Sequence, residues 1–72
     1  MNPDSKPNTL LGTDYRIALL EIALTGQRRR IHQLSEDGLS TTMATAVLQA
    51  EEAVLKSLKA YRKLLLAMPP MR

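Results

Sequence analysis

Three consecutive arginines, Arg28, Arg29 and Arg30, and three lysines, Lys56, Lys59 and Lys63, carry the most evident chemistry in this chain. Guanidinium groups grip phosphate oxygens bidentately and ammonium groups add point charges, so both sets are candidate anion-binding residues. On a helix the two sets behave differently. Consecutive residues stand about 100° apart, so the three arginines fan over roughly 200° and cannot form one patch. The lysines recur every three or four residues, share a face and have Arg62 beside them, which makes them the better basic patch. Each set also has acids within reach if the chain folds back on itself: Glu51 and Glu52 for the arginines, Asp14 and Glu21 for the lysines. Cations near a helix C-terminus complement its dipole without any ligand. A solvated, ion-paired surface is therefore the simpler reading, and a nucleic-acid or anionic-ligand accessory role is the alternative.

His32 and Glu36 stand four apart and could offer two metal ligands, but a zinc site takes at least three, and the chain has no other histidine and no cysteine. No metal and no cofactor are expected. The acids and bases do not assemble into a nucleophile, a base and an oxyanion site, so an enzyme is not expected either. A helix-turn-helix reader needs a third helix and an exposed recognition face, neither of which the pattern provides.

Ten Lys and Arg against seven Asp and Glu leave a net charge of +3, a mild excess compared with dedicated nucleic-acid binders. With two tyrosines and no Phe or Trp, the chain cannot build a platform on which bases stack. Apolar runs are interrupted by charge well short of the roughly 20 residues that span a bilayer. No membrane association is expected, and the absence of cysteine fits a reducing cytoplasm, where the chain is placed. Its 72 residues hold one domain at most, and chains this short bury too little surface to leave stability to spare.

The elements that position these residues are two helices. Residues 1–12 are polar and contain Pro3 and Pro7, which suggests a flexible leader. Thr13 or Asp14 then offers an N-cap for a first helix over about residues 13–36. Ile17, Leu20, Leu24, Ile31 and Leu34 form a continuous stripe with Gln27 at its one skipped position, and Tyr15, Leu19, Ile22 and Gly26 run in a second row. Gly26 costs about 1 kcal/mol relative to alanine in mid-helix, which points to a close helix crossing. Gly38 suits the left-handed residue of a Schellman ending, with Leu39 set against Leu34. Ser40, Thr41 or Thr42 caps a second, longer helix over about residues 40–68. That helix stops before Pro69 and leaves residues 69–72 as a tail. So short a link returns the chain antiparallel, giving an all-α two-helix hairpin.

The second helix also shows two rows: Met43, Val47, Ala50, Val54, Tyr61 and Met68 in one, Leu48, Leu55, Leu58 and Leu65 in the other. Two adjoining rows are the pattern of a helix with two neighbours, whereas a hairpin supplies one. A second copy covers the excess most simply, giving a homodimeric four-helix bundle around Ile17, Leu20, Leu24, Ile31, Leu34, Val47, Val54, Leu58, Tyr61 and Leu65. Another helical protein could take the same place, or Leu10, Leu11 and Met71 could fold back over it. The partner interface is expected at the open end of the hairpin, on Tyr15, Leu19, Ile22, Gly26, Leu58, Tyr61 and Leu65, with the arginine-rich half wetter. The functional expectation is a noncatalytic protein–protein interaction or regulatory protein.

The run Arg30-Ile31-x-x-Leu34-x-x-x-Gly38-x-x-Thr41-Thr42, followed by Ala46, Leu48, Glu52 and Tyr61-Arg62-x-Leu64-Leu65, resembles a widespread set of short, uncharacterised alphaproteobacterial helical-hairpin proteins. The likeness covers roughly half the chain: an arginine-rich first helix, a Gly-x-x-Thr-Thr turn, and a second helix with an internal Glu. It implies a bacterial helical hairpin and carries no activity. The N-terminal third departs most, being richer in aliphatic residues.

Overall fold

The computed structural model describes residues 9–68, which form helix α1, Leu10–Glu36, and helix α2, Thr42–Ala67. Met71, one of the side chains considered as a cover, lies outside the described residues. Helix α1 begins earlier than Thr13. Thr9 is its N-cap: the Thr9 hydroxyl accepts from the Gly12 N–H at 2.9 Å, and the Thr13 N–H reaches the Thr9 carbonyl at 2.9 Å. A threonine stands at either position, and only these bonds decide which one caps. Leu10 and Leu11 therefore extend α1 and stay exposed, and they do not fold over the apolar rows. The earlier start also equalises the helices, at 27 and 26 residues, so α2 does not overhang.

The turn forms as its sequence demands. Gly38 has φ +73°, the left-handed region where a β-carbon is penalised. The Leu39 N–H bonds the Leu34 carbonyl at 2.9 Å and the Gly38 N–H bonds that of Ser35 at 3.1 Å, the paired bonds of a Schellman ending. Leu39 stays more than half exposed, so the ending rests on these bonds. Thr41 is the N-cap of α2 without a side-chain cap bond, while the Ser40 hydroxyl accepts from the Thr42 N–H at 3.3 Å. Met68, ahead of Pro69, is extended and closes α2.

Between the helices runs one seam. On α1 it takes Thr13, Ile17, Leu20, Leu24, Gln27, Ile31 and Leu34, alternating steps of four and three. On α2 the half-buried residues Ala44, Leu48, Glu51, Leu55, Leu58, Arg62 and Leu65 keep the same alternation. This is the spacing of an antiparallel coiled-coil pair. The leucine row of α2 thus faces α1, and the row through Val47, Val54 and Tyr61 does not.

The seam buries little. Ile17 and Leu24 are the only apolar side chains below a tenth exposed among the described residues, and no residue of α2 is buried. Thr13 is fully buried beside Gly12 near the start of α1. One layer of the seam is polar on both sides, because the register sets Gln27 level with Glu51. Glu51 leaves its Oε1 buried without a hydrogen-bond partner.

Candidate interaction surface

The seam divides the hairpin into two faces of opposite character. On one, Asp14, Glu21 and Arg28 recur every seven residues along α1 and so point the same way. Each reaches across to α2. The Arg62 guanidinium donates to Asp14, Lys59 lies 3.3 Å from Glu21, and Arg28 donates to Glu52 at 3.1 Å. A shallow groove beside the first pair is lined by Asp14, Ile17, Lys59, Arg62, Lys63 and Leu66. All three pairs are about half exposed, so each contributes at most about 1 kcal/mol, but together they fix the register.

The opposite face has no such pairs among those of the described residues. A groove there is lined by Arg16, Leu19, Leu20 and Ala23 of α1 with Val54 and Leu58 of α2. A second, nearer the turn, is lined among others by Gln27, Arg30 and Leu34 with Met43, Ala44 and Val47. Arg16, Ala23 and Arg30 are heptad equivalents, as are Leu20, Gln27 and Leu34, and as are Val47 and Val54. The two grooves are therefore successive stretches of one furrow. Met43 is 79% exposed, and Val47, Val54 and Leu19 are between 42% and 49%.

The residues expected to bind anions do not come together. Arg28 is paired with Glu52 on the ion-paired face, Arg30 lines the apolar furrow, and Arg29 is exposed between them. Of the lysines, Lys59 is paired with Glu21, Lys63 edges the groove beside Asp14, and Lys56 is exposed. Glu52, one turn before Lys56, turns instead to Arg28. His32 lies 3.5 Å from Glu36 on the surface, and no group of three or more potential metal ligands occurs among the described residues.

The residues expected to meet a partner are likewise divided. Leu58 and Leu65 are half-buried in the hairpin seam. Tyr15 and Ile22, 64% and 70% exposed, lie on the side of α1 turned away from α2, so they do not face Leu58 to Leu65. Leu19 lines the furrow, Tyr61 continues the heptad row of Val47 and Val54, and Gly26 has nothing within 4 Å of where a β-carbon would stand, so no close helix crossing occurs there. The exposed apolar side chains are not confined to the open end, because Met43 and Val47 continue them to the turn. Apolar periodicity locates both rows of α2 and does not say which faces α1. The charges could have done so, since Glu52 and Lys59 flank only the leucine row and Arg62 lies within it.

Fold and surface together define a small antiparallel helical hairpin with one ion-paired face and one apolar face. No helix of the described residues is long and apolar enough to cross a membrane. No family model, no curated protein and no solved structure matches the chain.

Proposed function

We propose that this chain is a noncatalytic interaction protein that self-associates through its apolar face, two hairpins making a twofold four-helix bundle. The observation that carries the reading is the imbalance in burial. Only Ile17 and Leu24 among the described apolar side chains are buried, while Met43, Val47, Val54 and Leu19 stand exposed along one furrow. A core of two side chains falls short of the conformational entropy cost of ordering about 60 residues. Each further Val, Leu or Met buried adds about 1.5–3 kcal/mol, and a second copy covers a self-complementary face at both partners at once.

The dispersal of the basic side chains supports this reading over an anion-binding one, because Arg28, Lys59 and Arg62 already have acidic partners. The test couples light scattering with circular dichroism over a dilution series. A dimer that loses helicity as it dissociates is the expected result. A fully helical monomer at high micromolar concentration overturns it. Duplex DNA added at low salt should leave the scattering mass unchanged.

A further inference from the structure

We infer that the second copy docks in one orientation, α2 against α2 of its partner, antiparallel, with the twofold axis between Val54 and Ser57. The inference rests on the self-association proposed above and adds its geometry.

From Met43 to Met68, α2 carries a second four-three repeat outside the hairpin seam, through Val47, Val54 and Tyr61, broken only by the small polar Ser57. That is a second coiled-coil seam, beside the one that faces α1. Helix α1 contributes Arg16 and Arg30 to the same face, at positions equivalent to Ala23. Burying two guanidinium groups without partners is costly, which sets α2 at the centre of the contact and the arginines at its rim.

Direction follows from size and charge. In an antiparallel pair the two kinds of seam position alternate across the axis. Centred between Val54 and Ser57, every position finds an opposite: Val54 meets Ser57, Tyr61 meets Ala50, Val47 meets Leu64, and Met43 meets Met68. Each small residue then faces a larger one, as close packing requires. A parallel pair would set Tyr61 on Tyr61 and Ala50 on Ala50, crowding one layer and leaving a void in the other. It would also lay Lys56, Lys59, Arg62 and Lys63 beside their own copies, whereas the antiparallel pair sets them opposite residues 48–55, whose only charges are the acidic Glu51 and Glu52. Antiparallel helix dipoles agree with this choice. The 26 residues of α2 run about 39 Å, so a strip with its flanks buries roughly 600–800 Å² per chain. The total falls in the range of about 1,200–2,000 Å² of stable interfaces.

The chain has no cysteine, so single cysteines report the geometry directly. Val47→Cys and Leu64→Cys alter exposed positions and should leave the hairpin helical. Each variant is examined alone and in equimolar mixture under mild oxidation, with products identified by intact mass and the unoxidised protein followed by light scattering. The expected result is a dimer that yields the mixed disulfide, one chain of each variant, in the mixture and little covalent dimer from either variant alone. A dimer in which each variant links efficiently to itself overturns the antiparallel orientation, and a dimer in which neither pairing links overturns the helix α2 interface. Both leave self-association standing. A monomer by light scattering overturns the orientation and the self-association together.

Discussion

Glu21 and Lys59 meet at 3.3 Å across the hairpin between two further pairs: on α1 Asp14 and Arg28 lie one heptad to either side of Glu21, and on α2 Arg62 lies three residues and Glu52 seven residues from Lys59. Three rungs along one face together select one register, since sliding α2 by a turn would move all three pairs out of reach. Their strength is a separate matter. Both side chains of the middle rung are more than half exposed, and water and salt screen them. Glu21→Gln and Lys59→Met are each expected to cost less than about 1 kcal/mol, with a coupling of a few tenths in a double-mutant cycle that fades in molar salt. A coupling above about 2 kcal/mol, read from urea melts, would show that the pair is shielded in the assembled protein.

Glu51 makes the opposite case. Its Oε1 is buried without a hydrogen-bond partner, level with Gln27, in a seam otherwise built mainly from aliphatic side chains. An unsatisfied buried oxygen costs about 1–3 kcal/mol, so Glu51→Leu should raise the thermal midpoint and strengthen the hairpin by about that amount. A fall in stability would mean that the carboxylate has a partner in the assembled state. Polar residues at such positions also specify register, so Glu51→Leu with Gln27→Leu should gain stability while admitting a second association state, visible by light scattering.

Much of this arrangement is legible in the sequence, and the failures have physical causes. The stripe of α1 reads directly from Ile17 to Leu34, with Gln27 marking the gap, because that helix has one strongly apolar line facing its neighbour. The turn reads from Gly38 because a positive φ selects glycine. The start of α1 does not, since Thr9 and Thr13 carry the same capping group and the prolines upstream mask the choice. The seam of α2 is ambiguous because two rows are equally apolar. Glu51 and Arg62 escape a search for apolar periodicity altogether, although they complete the four-three alternation between Leu48 and Leu65. The expected interface on α1 fails for a related reason: Tyr15 and Ile22 are apolar, but nothing in their spacing tells the back of a helix from its flank.

The two described mid-chain glycines should respond in opposite ways. At Gly38, with φ +73°, alanine is strained whatever the space around it, and Gly38→Ala should destabilise by about 1–2 kcal/mol. At Gly26 a β-carbon meets nothing within 4 Å, so Gly26→Ala should recover up to about 1 kcal/mol of helix propensity. Urea midpoints of the two variants check both signs. Loss of stability in Gly26→Ala would place another chain against the side of α1 that carries Leu19 one heptad away, where the single hairpin leaves open space.

Leu24 tests how much the thin core matters. It is 1% exposed at the middle of the seam, the most buried large side chain among the described residues, with Ile17 the other buried aliphatic one. Truncating such a leucine costs about 2–5 kcal/mol, from lost transfer energy and the cavity left behind. In a large domain that leaves a folded protein. Here the hairpin has almost no reserve, and any stability supplied by a second copy depends on concentration. Leu24→Ala is therefore expected to lose most of its helical circular dichroism at low micromolar concentration and to regain it as concentration rises toward millimolar. Loss that does not recover would show that the hairpin must fold before it can associate, and undiminished helicity at every concentration would show that residues beyond the 9–68 segment complete the core.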